Sequence, residues 1–147
     1  MSSMDLLLDL PVKISCGILG DWLFLRDIVQ LDSAFCHSQK RPILLESVFQ
    51  SPWCIVSEMH YRYDHQFRFD DIFGWIVLKN VRMATLMFSG GSNPTVCEEY
   101  LQKHGQTVKC ARFSNFFERS QDLMSLVAWT CPHLRSLFVT DACATPS

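Results

Sequence analysis

The sequence lacks the features of a membrane or secreted protein. No apolar run approaches the ~18 residues that cross a bilayer. Only three consecutive apolar residues lie between Asp5 and Asp9, and no basic segment precedes them, so the N-terminus is not a signal peptide. We therefore predict no membrane partner and a cytoplasmic or nuclear location.

An excess of positive charge is also missing. The chain has 13 Lys and Arg residues against 15 Asp and Glu, a net charge of −2, whereas nucleic-acid-binding domains carry a basic excess. Its seven cysteines form no C-x-x-C pair and are odd in number. This pattern favours free, mostly buried thiols in a reducing compartment. No nucleic-acid partner and no metal site are expected.

Catalytic patterns are equally scarce. Thiol and imidazole groups are neighbours only at Cys36 and His37, at Cys97 and His104, and at Cys131 and His133. A nucleophilic thiol needs a low pKa and a placed base, and packing explains Cys97 and Cys131 better. The glycines at 90–91 have no following lysine to bind a phosphate. We predict a protein that is not an enzyme, with no catalytic residue and no cofactor.

The sequence does contain a short pattern that occurs three times. With 48% hydrophobic residues in 147, the chain is long and apolar enough to bury a core. The pattern is apolar-x-x-apolar-x-apolar, and it reads Met83-Ala84-Thr85-Leu86-Met87-Phe88, Val108-Lys109-Cys110-Ala111-Arg112-Phe113 and Leu134-Arg135-Ser136-Leu137-Phe138-Val139. The spacings are 25 and 26 residues. Such near-constant spacing predicts three repeated strands.

A helix is predicted before each strand. When the three strands are aligned, the segments 71–76, 96–101 and 122–127 also align, with apolar second, fifth and sixth positions. That spacing is one face of a helix. Thr95-x-x-Glu98 predicts a capping box at the start of the second helix. Each unit is therefore expected to be a helix, a turn and a strand.

The third unit, in which Cys131-Pro132-x-Leu134 leads into the strand, resembles the leucine-rich repeats of F-box proteins. The resemblance implies an α/β fold, with residues 71–147 forming about three units of an incomplete right-handed solenoid with a small parallel sheet. The units depart from the family pattern after each strand, where Gly91, Phe116 and Ala142 replace the usual Asn or Cys. The array is expected to be uncapped, as a fragment or an early stop of a longer array.

The alternation of strand side chains predicts which residues lie on the concave face of such an array. They are Thr85, Met87, Cys110, Arg112, Ser136 and Phe138. Met87, Arg112 and Phe138 would form one row across the sheet, with a polarizable, a cationic and an aromatic side chain in that order. Such a combination suits contact with a protein substrate. The alternative is that these are ordinary solvated strand residues.

The pattern of residues 1–50 predicts a helical head, with helices beginning near Pro11, Leu25 and Arg41-Pro42. Residues 51–70 are predicted to be a connector between the head and the repeats. The segment Leu10-Pro11-x-x-Ile14-x-x-x-Ile18-Leu19-x-x-x-Leu23, followed by Asp27-Ile28-x-x-Leu31, resembles an F-box. It departs from that family at Ala34 and Phe35, which replace Val and Cys, and it lacks a tryptophan near 38–41.

The two resemblances imply a substrate-recognition adaptor of a cullin-RING ubiquitin ligase. The head would dock on the Skp-type linker, and the repeats would hold a protein substrate of unknown identity. The docking residues implied are Leu10, Pro11, Ile14, Ile18, Leu19, Leu23 and Ile28. The alternative is an interaction scaffold without a ligase, in which the same head only caps the end of the repeats.

Overall fold

The computed structural model describes residues 3–57, 69–88, 92–114 and 120–140. Helices alternate with short parallel strands in this part of the chain, which confirms the α/β class. No helix within the described ranges has the length and apolar character needed to cross a bilayer.

The N-terminal head is helical. It consists of α1 (Ser3–Asp9), α2 (Val12–Gly17), a π-helical continuation of α2 (Ile18–Trp22), α3 (Leu25–Ala34) and a second π-helical segment (Ile43–Phe49). The Pro11 carbonyl accepts the N–H of Ile14 at 2.8 Å, so the predicted proline is the N-cap of α2, directly before its first residue. The three predicted head helices are confirmed. Helix α1 was not predicted; it is tied to α2 because the Ser15 hydroxyl donates to the Leu7 carbonyl at 2.8 Å.

Within the described residues, five short strands follow the head: β1 (Ile55–Val56), β2 (Arg82–Met83), β3 (Thr85–Phe88), β4 (Cys110–Ser114) and β5 (Ser136–Thr140). All pairings are parallel, in the orders β1-β2 and β3-β4-β5. The three predicted strands are confirmed. Ala84 separates β2 from β3, and its N–H donates to the Val56 carbonyl at 2.9 Å. The first strand of the chain, β1, lies in the segment predicted as a connector.

A helix precedes each of the three repeated strands, as predicted. These helices are α4 (Phe69–Leu78), α5 (Pro94–His104), which continues as a 3-10 turn (Gly105–Thr107), and α6 (Ser120–Thr130). The residue that caps α5 is Asn93 instead of Thr95: its side-chain oxygen accepts the N–H groups of Thr95 and Val96 at 3.0 and 3.4 Å. An Asn directly before the Pro at the helix start competes successfully with the predicted capping box.

The inner face of the sheet forms the core with the helices. Leu86, Phe88, Ala111 and Phe113 are at most 2% exposed, and the aligned helix residues Ile76, Leu101 and Val127 are completely buried. On β5 the same face is open, since Leu137 is 41% and Val139 is 43% exposed. The buried layer therefore ends at the third strand of the described sheet.

Polar side chains of the second unit satisfy the backbone of the first. The Tyr100 hydroxyl donates to the Val81 carbonyl at 2.8 Å and accepts the Met83 N–H at 3.2 Å, while Thr107 donates to the Met83 carbonyl at 3.1 Å. Gly105 lies so close to the last turn of α6 that a Cβ there would collide with the Thr130 carbonyl oxygen. Adjacent units are therefore in direct backbone contact.

One buried carboxylate joins the head to the first repeated helix. Asp32 of α3 is 3% exposed, and its oxygens lie 3.2 Å from Arg41 Nε, 3.1 Å from Trp75 Nε1 and 3.6 Å from Lys79 Nζ. Arg41 belongs to the head, whereas Trp75 and Lys79 belong to α4 and the turn after it. The Asp32 carboxylate thus determines the position of the head against the first unit.

Candidate functional site

The three-stranded sheet presents an outward face made of the side chains between the buried ones. The register pairs Thr85 with Cys110 and Ser136, and Met87 with Arg112 and Phe138. We call these six residues the outer sheet face. The predicted row of Met87, Arg112 and Phe138 is thus formed across three adjacent strands.

Within this row Arg112 and Phe138 are the most accessible. The Arg112 side chain is exposed, Phe138 is 50% exposed, and Met87 is half-buried against the core. The guanidinium carbon of Arg112 lies 5.5 Å from the centre of the Phe138 ring, a cation–π distance. A cation held against an accessible ring can form ionic and apolar contacts with the same ligand.

The row nearer the start of the strands is more restricted. Thr85, Cys110 and Ser136 are half-buried, and the Thr85 hydroxyl is already used, because it donates to the Ser57 carbonyl at 3.0 Å. Two exposed cations that were not predicted as site residues, Lys109 and Arg135, lie directly before β4 and β5. Their aligned positions in the repeated pattern were a signal that could have found them.

The predicted docking residues of the head divide into three groups by exposure. Leu10 is 37% and Ile14 is 51% exposed, and Pro11 between them is also exposed. Ile18 and Leu23 are half-buried. Leu19 and Ile28 are completely buried in the core, so they position α2 and α3 and do not meet a partner in this conformation. The three exposed residues surround the start of α2, and we call them the head surface.

Other exposed apolar residues near the head were not among the predicted site residues. They are Leu6, Val12, Trp22, Phe24, Ile43 and Trp53. Leu6 is on α1, which the sequence analysis missed, and Lys13 Nζ lies 4.4 Å above the Trp53 ring. Asp32 was also missed. A signal existed, since Asp32 follows Ile28 by four residues on the apolar face of α3.

Two of the buried thiols, Cys54 and Cys131, are held in their neutral form. Burial, with the neighbouring Cys16 thiol, raises the pKa of Cys54 to about 12, and burial also raises the pKa of Cys131. Both shifts oppose formation of a thiolate nucleophile. Among the residues that the structure describes, no three His, Cys, Asp or Glu side chains are grouped so as to hold a metal ion.

His104 has a structural role between the first two units. It is 4% exposed, and its Nε2 lies 2.7 Å from the side-chain oxygen of Asn80, a turn residue with a φ of 57°. Burial, together with the charges of Arg82 and Lys103, lowers the pKa of His104 to about 4. The ring is therefore neutral at pH 7, and Nε2–H donates to Asn80.

The free energy of unfolding should decrease as the pH falls from 6.5 towards 4. The unfolded chain protonates this histidine near pH 6.5 and the folded chain only near 4, so the unfolded state binds more protons between these values. A shift of this size corresponds to about 3 kcal/mol. Urea unfolding at about pH 7 and about pH 4.5 should show a smaller pH dependence in His104→Gln than in the wild type. An identical dependence in both proteins would contradict this assignment.

Comparison with known proteins gives no match: no protein-family model, no curated protein and no solved structure is detectably similar to this chain. A functional assignment therefore depends on the two surfaces described above.

Proposed function

We propose that the chain is a non-catalytic substrate-recognition adaptor of a cullin-RING ubiquitin ligase. In this proposal residues 71–147 are degenerate leucine-rich repeats of a right-handed solenoid, and the head is an F-box that docks on the Skp-type linker. The protein would act in the cytoplasm or the nucleus, and the outer sheet face would hold a protein substrate.

The accessibility of the head surface is the observation that carries this proposal. Leu10, Pro11 and Ile14 begin the pattern by which the N-terminal segment resembles an F-box, and all three are exposed beside one helix start. A group of exposed apolar residues on one surface is typical of a site that another protein covers. Covering each of them with a partner would contribute up to about 1.5–3 kcal/mol. Leu19 and Ile28 would support this surface from beneath.

A second function is favoured by a different observation. The head is joined to the first unit by Asp32, and β1 of the predicted connector pairs with β2. Such integration is typical of a cap that closes one end of a repeat array. The alternative function is therefore an interaction scaffold whose head has no ligase partner.

Titration of the purified chain with a purified Skp-type linker tests the adaptor proposal. We expect a complex of the two proteins, which Leu10→Ala combined with Ile14→Ala weakens by about tenfold or more, because two apolar contacts are lost. Trp129→Ala, a change at an exposed residue of α6, is the matched control and should bind normally. Absence of a wild-type complex, or an unchanged affinity in the double variant, would refute the adaptor and leave the scaffold.

A further inference from the structure

Charge is distributed unevenly between the strands and the rest of the chain. The segments 82–88, 108–114 and 134–140 contain Arg82, Lys109, Arg112 and Arg135 but no Asp or Glu, although acidic residues outnumber basic ones in the whole protein. The sheet is therefore a local positive region on an acidic chain.

One of the four cations is used inside the fold. Arg82 Nη1 donates to the carbonyls of Gln50 and Ser51 at 3.0 and 2.8 Å, so it fastens β2 to the end of the head. Lys109, Arg112 and Arg135 are exposed. In the part of the chain that the structure describes, none of these three is paired with a carboxylate. Their charges are accessible to a ligand.

The strand register brings the three cations close together. The Arg135 N–H donates to the Lys109 carbonyl at 2.7 Å, so these residues are neighbours on adjacent strands, about 5 Å apart across the sheet. Arg112 follows Lys109 by three residues, or about 10 Å along the chain. Alternate side chains of an extended peptide lie on one face, about 7 Å apart for every two residues, so two anionic side chains four residues apart lie within reach of the long side chains of Arg112 and of the Lys109 and Arg135 rim. Phe138 and the half-buried Met87 flank Arg112 in its row, and they suit an apolar side chain on the same face of the peptide.

We propose that the outer sheet face, with Lys109 and Arg135 at its rim, binds an extended peptide segment that carries two anionic side chains four residues apart, with an apolar residue midway between them on the same face. Arg112 binds one anionic group beside the Phe138 ring, and Lys109 with Arg135 binds the other. Guanidinium groups bind carboxylate and phosphate alike through paired hydrogen bonds. The inference rests on the proposed use of this face for substrate binding and names the class of substrate.

A peptide fits this surface better than a nucleic acid does. Binding of a polyanion depends on many phosphate contacts and a wide basic footprint. The outer sheet face and its rim present only the three exposed cations Lys109, Arg112 and Arg135, and the chain has a net charge of −2. Single-stranded nucleic acid also needs several aromatic platforms for its bases. Phe138 alone provides an exposed ring among the six residues of the outer sheet face.

Fluorescence anisotropy with the purified full chain tests the proposal without the linker. The probe is a labelled peptide with two glutamates separated by glycine, leucine and glycine, so that the leucine and both glutamates share one face when the peptide is extended; matched probes replace both glutamates by glutamine or by phosphoserine. We expect the glutamate or the phosphoserine peptide to bind, and the tighter of the two identifies the anion. The glutamine peptide should bind at least about tenfold more weakly, and added salt should weaken binding of the anionic peptides.

Substitutions on the protein provide the second arm. Arg112→Gln combined with Arg135→Gln should weaken binding of the anionic peptide by about tenfold or more, whereas Lys103→Gln, a change at an exposed cation of α5, should not. All of these side chains are exposed, and circular dichroism verifies that the variants fold. Equal binding of the glutamine peptide, an unaffected Arg112 and Arg135 double variant, or a single-stranded oligonucleotide that binds more tightly than either anionic peptide overturns the proposal.

The two proposals fail in different ways. The Leu10 and Ile14 double variant should keep its affinity for the anionic peptide while it loses the linker. Loss of the linker complex in the wild type with intact peptide binding would remove the ligase and retain the peptide site. Intact linker binding without affinity for either anionic peptide would remove the peptide site and retain the adaptor.

Discussion

Replacement of Asp32 by alanine should lower the free energy of unfolding by about 3–5 kcal/mol, since removal of one partner of a buried ion pair leaves uncompensated charge. The carboxylate is buried and contacts Arg41, Trp75 and Lys79. Its loss leaves Arg41, Lys79 and the indole N–H of Trp75 without this carboxylate partner at the junction between the head and the first unit. Urea unfolding of the purified chain measures the effect.

Two further variants separate charge from shape at this junction. Asp32→Asn keeps an oxygen that can accept from Trp75 and should lie between the wild type and the alanine variant. Asp9→Ala breaks the ion pair with Lys40, whose N–O distance of 3.2 Å is the same but which is far more exposed, and should cost at most about 1 kcal/mol. Equal effects of the alanine substitutions at 9 and 32 would show that the buried contact does not hold the head in place.

The second large effect is expected at Leu86, for which the chain contains its own control. Leu86 and Leu137 both lie opposite Ala111 of β4, on its two sides, but Leu86 is completely buried and Leu137 is 41% exposed. Leu86→Ala should cost about 2–5 kcal/mol through lost burial and the cavity left behind. Leu137→Ala should cost about half as much or less, because its side chain already contacts solvent.

The same unfolding experiment compares the two leucine variants. A midpoint shift at least about twice as large for Leu86→Ala as for Leu137→Ala is the expected outcome. If both variants lose the same free energy of unfolding, then Leu137 is covered in solution, and the buried layer continues past β5.

The repeated strands could be predicted because the information is local and occurs three times. Side chains on a strand alternate, so the apolar positions of each pattern determine which residues face the core. Alignment of the three patterns also predicted the register that places Met87 beside Arg112 and Arg112 beside Phe138. A single copy of the pattern in a chain with 48% hydrophobic residues would not have supported this.

The parts that could not be predicted depend on contacts between distant residues. Strand β1 has two residues and exists because it pairs with β2, 27 positions later in the register. The change to π-helix at Ile18 and Ile43 has no local signal in the sequence. Amphipathic spacing in the head identified an apolar face but not which residues of the rest of the chain cover it. Leu19 and Ile14 therefore appeared equivalent, although Leu19 is buried and Ile14 is exposed.

Tyr100, His104 and Thr107 of the second unit form hydrogen bonds with the first unit. These bonds determine the order in which the units are expected to unfold. The equivalent residues of the third unit are Leu126, Thr130 and His133. In the described part of the chain Thr130 donates within its own helix, to the Leu126 carbonyl at 2.7 Å. The third unit is therefore joined to the second mainly through backbone pairing and packing. Amide protons of β5 should exchange with solvent through local opening, whereas those of β3 should exchange only through global unfolding. The sheet is therefore expected to unfold from its C-terminal strand towards the head.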